Sequence, residues 1–346
     1  MSLIYDGPVS PDDATVFVRN LPEPSDHKLG AFLGDKLISD TRVDFASAAR
    51  VNRTAQFRAF DGNIPMLERD SVETRQVDLL PMSIMGGKGE LERLSLERVR
   101  QNGGSLAAIT EAIYDDLEIS VRSIRNRVEV ARGEVLATGK MELKGENGLH
   151  LKADFQVPAD HFVTAQVPWS ETATAQVVAD LTTWVEKYTK DNGFAPGGMI
   201  VNRRILGLLQ RNGEIRTLAA SIVGAPTVVG RSVVDSTLAD FGLPPIVDVY
   251  DTVINVDGVD TRVIPEDKVI FLPPADLGYV AWGITATAME LVGAAQTDLA
   301  FASAPGLVGC VVKDGPPFRE RTMVDSLLLP VLERPKALMV ASVLNP

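Results

Sequence analysis

The chain has 346 residues, 45% of them hydrophobic, with 46 acidic side chains against 34 Lys and Arg and a formal charge of −12. That apolar content excludes wholesale disorder, and the length allows two or three domains, or one large core with appendages. The acid surplus has the wrong sign for neutralising phosphates, which excludes a grip on nucleic acid as the main function, and it favours solubility.

Residues 1–50 read as extended and irregular, punctuated by Pro8, Pro11, Pro22 and Pro24. Their apolar anchors (Val16, Phe17, Leu29, Phe32, Leu33) are too scattered to bury a core of their own, so the segment reads as an arm lying on something else. RTAQFRAF at 53–60 and SVETRQVDL at 71–79 alternate with the period of a strand. Asp61-Gly62 supplies a turn between them. The pair is polar, and an isolated two-stranded ribbon is at best marginally stable, so this hairpin is expected to rest on a neighbour. Gly86-Gly87 reads as a joint before a short helix in GELERLSLERVRQN, with Leu91, Leu94 and Val99 on one side.

Gly103-Gly104 ends that helix, and Ser105 is placed to cap the next. Leu106, Ile109, Ile113, Leu117, Val121, Ile124, Val128, Ala131 and Val135 recur at steps of three and four, which is one apolar stripe on a long helix. Asp115, Glu118, Arg122, Arg125 and Glu129 occupy the other faces, where Glu118–Arg122 and Arg125–Glu129 have the i,i+4 spacing of paired, solvated charges. A helix of roughly 35 residues is about 50 Å long, and nothing on it suggests chemistry.

Met141, Leu143, Leu149 and Leu151 flank Asn147-Gly148, a hairpin signal. From Ser170-Glu171 a second amphipathic helix is expected, with Leu181, Trp184 and Tyr188 on one face and Gly193 past its end. GGMIVN reads as a strand, RRILGLLQRN and GEIRTLAASIV as short helices, and SVVDSTLADFG as another. IVDVYDTVIN reads as a strand turned by Asp257-Gly258 into VDTRVI, and KVIFLP as one more. Strands and helices mix without a regular βαβ period, which argues for α+β. The last residues hold two strand runs around Glu333-Arg334-Pro335, expected to complete the sheet begun by the hairpin at 140–155.

The single cysteine, Cys310, allows no intramolecular disulfide and reads as a small buried hydrophobe. The N-terminus lacks the basic and apolar regions of a signal peptide. No apolar run approaches the ~20 residues of a membrane span. His27, His150 and His161 have no second ligand at metal spacing and read as surface or packing residues. MGGKGE at 85–90 lacks the spacing of a phosphate loop, and neither GxGxxG after a strand nor GxSxG occurs. No catalytic, cofactor-binding or metal-ligating residue is assigned. A hidden carboxylate pair stays open, because proximity is not legible in sequence.

The order of parts carries a resemblance. RGEVLATGKMELKGE ends the long helix and enters a hairpin. WSETATAQVVADLTTWVEKY followed by PGGMIVNRRILGLLQRNGEIR opens a compact unit, and EDKVIFLP precedes its close. FRERTMVDSLLLPVLERPKALMVASV makes the C-terminal return. Together they resemble the Hong Kong 97-type phage capsid fold, and within it the lambda-like phage major capsid protein E family. The resemblance implies an N-terminal arm (1–50), an E-loop hairpin (51–86), a P-domain with a spine helix (87–169), an A-domain (170–300) and a return to the P-domain sheet (301–346). It implies a non-enzymatic shell protein without cofactors, assembling with itself as hexamers and pentamers. It implies a separate scaffolding protein, a portal and a maturation protease. A decoration protein is left open, the packaged DNA is held without sequence-specific binding, and no membrane is involved. The implied location is the virion, after assembly in the host cytoplasm. An encapsulin shell and an α+β enzyme are the alternatives.

Overall fold

The computed structural model describes residues 3–4, 9–48, 72–87, 91, 94, 98, 107–146, 149–219, 226–293, 299–300, 303–314 and 319–345. In chain order the first elements are β1 (Leu3–Ile4), α1 (Pro11–Asn20), β2 (Leu33–Leu37), β3 (Arg42–Ala48), β4 (Val72–Asp78) and β5 (Leu80–Gly87). The long helix α2 (Ala107–Thr138) leads to β6 (Lys140–Glu146), β7 (Leu149–Asp154) and β8 (Phe162–Thr164). Then come α3 (Val177–Asn192), β9 (Gly198–Val201), α4 (Arg203–Arg211), α5 (Gly213–Leu218) and α6 (Arg231–Asp240). The rest of the chain holds β10 (Ile246–Val249), β11 (Val253–Val256), β12 (Val259–Arg262), β13 (Lys268–Leu272), β14 (Gly278–Trp282), α7 (Ala286–Gly293), β15 (Val308–Asp314), β16 (Arg319–Leu332) and β17 (Met339–Ser342). The chain forms two compact units: residues 1–43, 77–132 and 279–331, and residues 44–76, 133–278 and 332–346.

The first unit is built on a sheet of order β1-β15-β16-β14-β2, with β5 also paired along β16. The stripe expected on α2 is the buried one: Ile113, Leu117, Val121, Ile124 and Val128 pack with Val280, Trp282, Leu307, Val311, Val324 and Leu328 from the strands. Helix α1 closes this core through Ala14 and Val18, both fully buried. The sequence reading of residues 1–50 as extended chain is therefore wrong over 11–20. Ser10 caps that helix by accepting from Asp13 N–H at 3.1 Å, Pro11 sits at its first turn, and Asp12 and Asp13 complement the dipole. Thr15 Oγ1 donates to Gly309 O at 3.0 Å, and a side chain at Gly309 would meet Val18 at 2.9 Å. Arg19 donates to the carbonyls of Ser303 (2.6 Å), Leu307 (2.7 Å) and Ala304 (3.3 Å).

Gly86 and Gly87 are not the expected joint. They are strand residues of β5 opposite Thr322 and Arg321, where a Cβ on Gly86 would lie 2.8 Å from Thr322 Oγ1. Of the expected polar hairpin, the second strand is present as β4, and its partner among the described residues is β3. The expected first strand at 53–60 lies outside the described residues, as do Ser105 and most of the short helix at 89–102.

The second unit holds a sheet of order β10-β9-β13-β17-β8 covered by α3, α4, α5 and α6. At its centre Trp169 stacks on Trp184, with ring centroids 6.0 Å apart, and Trp184 meets Phe271 edge to face at 6.2 Å. Helix α3 starts at Val177, later than the Ser170-Glu171 expectation, and ends at Gly193, whose φ of 78° is the left-handed cap the sequence placed there. Asp257 and Gly258 both have positive φ, 52° and 86°, as a tight turn between β11 and β12 requires. IVDVYDTVIN is two strands, β10 and β11, and not one. The expected partnership of the C-terminal strands with the hairpin at 140–155 is also wrong. Strands β6 and β7 pair only with each other among the described residues, β16 joins the first unit's sheet, and β17 lies between β13 and β8. A strand apolar on both faces satisfies any sheet interior, so its partner is a tertiary choice.

Near its end α2 contains Gly133, which is there for space. A Cβ at this position would lie 2.3 Å from Val263 O. Gly→Ala inside a helix ordinarily gains ~1 kcal/mol; Gly133→Ala is expected to lose stability instead, read as a lowered denaturant midpoint. A gain of the ordinary size would mean that Val263 does not approach the helix this closely.

Candidate assembly surface on the long helix

Among the described residues, no group of three or more His, Cys, Asp or Glu side chains is placed to hold a metal ion. Nor, among the described residues, is any helix long and apolar enough to cross a membrane. Cys310 is buried, and that burial, reinforced by Asp325, pushes its thiol up to about 12. His161 is buried between Leu338 O (3.0 Å) and Asp191 Oδ2 (3.2 Å), and His27 is buried too. Both read as packing residues, while the side chain of His150 lies outside the described residues.

The concentration of unusual electrostatics lies on α2 in the first unit. Arg132 is 1% exposed. Its Nη2 donates to Asp35 Oδ1 at 2.7 Å, and its Nη1 contacts Glu129 Oε2 at 3.3 Å and Glu23 Oε1 at 3.5 Å. Glu129, fully buried, accepts from Leu29 N–H at 3.0 Å. The expectation that Glu129 belongs to a solvated face is therefore wrong. Residues 23–35 lie across the helix and enclose its charge, and Glu129 and Arg132 hold that segment in place.

The cluster is not fully satisfied. Arg132 Nε and Arg125 Nη1 are buried with no hydrogen-bond partner among the described residues. Burial lowers the Arg125 guanidinium below its ordinary value; Glu23 and Asp35 pull it back up, and Arg132 pushes it down. Beside it is a pocket of about 170 Å³ lined by Leu21, Pro22 and Glu23 from the N-terminal segment and by Glu118, Arg122 and Arg125 from α2. Glu118 and Arg122 are both exposed, and the expected ion pair between them is not among those the described residues make. Ile119, on the same stretch, is 64% exposed. The surface thus combines two arginines, two glutamates and a shallow cavity, with exposed Ile119 on the same stretch of helix.

A mixed fold of this order, with a long helix beside one sheet and a compact α+β unit, is that of a Hong Kong 97-type capsid subunit. The chain belongs to the phage major capsid protein E family, whose profile matches residues 18–343. That family is a structural capsid family, which makes the chain a shell protein of the phage virion. The fold is similar to a prophage protein of E. coli CFT073 assigned to the capsid, at 13% identity and a TM-score of 0.61, covering 95% of this chain and 97% of that one. It is similar to a phage-related protein of Bordetella bronchiseptica RB50, at 11% identity and a TM-score of 0.55, covering 96% and 97%. An encapsulin from Synechococcus elongatus PCC 7942 aligns over 94% of this chain and 91% of that one, at 11% identity and a TM-score of 0.45, too distant to support a choice. No curated protein sequence matches the chain.

Proposed function

We propose that this chain assembles as hexamers and pentamers into an icosahedral shell around the double-stranded DNA genome of a tailed phage, and that it performs no catalysis. Residues 1–50 serve as the N-terminal arm, anchored through α1. Residues 51–86 serve as the E-loop, 87–169 as the P-domain, 170–300 as the A-domain, and 301–346 as the C-terminal return, in which β16 runs beside β15 and β5 while β17 runs beside β13 and β8. Assembly takes place in the host cytoplasm with a separate scaffolding protein, a portal and a maturation protease. A decoration protein is compatible with this reading but not required by it. The acidic chain encloses DNA without adhering to it.

The observation that carries this reading is the β3–β4 ribbon. Among the described residues it is a two-stranded sheet, and a ribbon of that kind standing alone is marginal in water. Its base is held by Arg42–Asp78 at 2.6 Å, an exposed pair worth little on its own. Cover from a neighbouring subunit supplies the missing stability, and many repeated modest contacts supply avidity.

The test is negative-stain microscopy of the purified protein beside a variant in which a short Gly-Ser linker replaces residues 51–71. Wild type is expected to form closed shells, and the variant to remain folded but unassembled. Wild-type protein that stays a monomer or dimer under all conditions overturns the shell reading. A variant that still closes into shells overturns the bridging role of the loop. Shells that load a cargo enzyme in place of DNA would favour an encapsulin.

A further inference from the structure

His161 does more than fill space. It is 1% exposed, yet each of its ring nitrogens meets an oxygen that can only accept. Nδ1 lies 3.0 Å from the backbone carbonyl of Leu338, and Nε2 lies 3.2 Å from Asp191 Oδ2. A neutral imidazole has one N–H and one bare nitrogen, so it serves one of these oxygens and turns a lone pair towards the other; the imidazolium donates to both. Lys187 donates to the same Asp191 oxygen at 3.1 Å and holds that carboxyl below its ordinary value, so Asp191 stays an anion and brings no proton of its own.

The charges around the ring ask for the same proton. Asp160, beside His161 in the chain, and Asp191, on α3, are two anions, and Lys187, which contacts both, is one cation. A charged His161 brings the group into balance. Tyr188, also on α3, faces the ring with 6.4 Å between centroids. Burial pushes its phenol up, so it stays neutral while it donates to Ala337 O at 2.9 Å. Across 335–342, which includes β17, the one charged residue is Lys336, and it is exposed.

We propose that His161 is a proton-operated clasp: doubly protonated, it ties the end of α3 to the turn before β17 and so secures the edge strand β8, and on losing one proton it releases one of these ties and lets that edge open. The position fits the role. His161 immediately precedes β8, whose pairing with β17 begins at Phe162 opposite Val340 and covers three residues. Among the described residues β17 is the one strand beside β8, and Ala165 N–H to Ser342 O, at 3.0 Å, closes the far end. The clasp lies within the second unit and does not depend on the shell reading.

A ring that holds two protons in the folded chain adds its stability in full where the unfolded ring is charged too, below about pH 6.5. That stability is lost as pH rises and the folded ring gives up its second proton. Asp191→Asn is the decisive variant. Its amide can donate to a bare Nε2 while Nδ1–H still serves Leu338 O, so a neutral ring suffices. Hydrogen exchange at residues 159–165 and melting temperature are measured for wild type and variant side by side, in one assembly state, from about pH 5 to about pH 8. The intrinsic change of exchange rate with pH cancels in that comparison. Relative to Asp191→Asn, wild type should lose about tenfold in protection as pH rises, the scale of one charge-assisted hydrogen bond, and its melting temperature should fall against the variant's. Lys187→Met, which removes the lysine pair but keeps both partners of the ring, should retain the wild-type pH profile. If wild type and Asp191→Asn shift in parallel at every pH, the contact is merely structural and the clasp is overturned. If Lys187→Met flattens the profile as Asp191→Asn does, the pH effect belongs to the lysine and the clasp is again overturned.

Discussion

Arg132→Met is expected to destabilise the unassembled subunit by about 3–5 kcal/mol, the range for removing one partner of a buried charge pair. Glu129 is fully buried. With Arg132 gone, its charge would keep the Leu29 N–H as a donor and lose the adjacent cation at 3.3 Å. Glu23 and Asp35 would fare better, because their side chains are 37% and 43% exposed and water can take over. The damage should therefore concentrate on Glu129, and the double variant Glu129→Gln with Arg132→Met isolates it. The Gln carbonyl still accepts from Leu29, no charge remains to be neutralised, and most of the stability should return. Denaturant titration of the two variants against wild type is the measurement. A single variant within 1 kcal/mol of wild type, a limit set by what exposed pairs are worth (roughly 0–1 kcal/mol), would mean that the cluster is solvated in the folded subunit.

This cluster also marks where sequence reasoning stops. The apolar stripe of α2 is legible because its period is local: Ile113, Leu117, Val121, Ile124 and Val128 are all buried as their spacing requires. The same holds for Gly193 and Gly258, whose positive φ follows from cap and turn chemistry within a few residues. Glu129 flanks the stripe, and a charged residue in that position reads as solvent-facing. It is buried because Leu29 arrives from 100 residues away, and no local pattern announces that. The partners of β16 and β17 were hidden for a related reason, since apolar runs show that a strand is buried but not beside which neighbour. Helix α1 is a different case: Ser10-Pro11-Asp12-Asp13 is a readable helix start, obscured by the prolines around it. The candidate surface was legible only in part. Arg122 and Arg125 were visible as helix charges, but the pocket beside them exists only because Leu21–Pro24 fold against that face.

Ile124→Pro should have the largest effect of all, and its control is Ile124→Ala. Ile124 is fully buried at the middle of the stripe, within a helix of 32 residues. Alanine there keeps the helix and leaves a cavity, for a loss of about 2–5 kcal/mol. Proline creates a comparable cavity, removes the N–H that bonds back to the carbonyl of Ser120, and drives its ring into that carbonyl, adding ~3 kcal/mol or more. The sum approaches or exceeds the 5–15 kcal/mol by which whole domains are stable. The proline subunit should therefore be largely unfolded by circular dichroism and form no shells, whereas the alanine subunit should remain folded, melt earlier and still assemble. The contrast separates the continuity of the helix from the side chain it buries at this position. The helix builds the core through Ile113 to Val128 and lines the neighbouring pocket through Glu118, Arg122 and Arg125. Shells of normal number from the proline variant would show that neither the core nor the surface depends on an unbroken helix at this point.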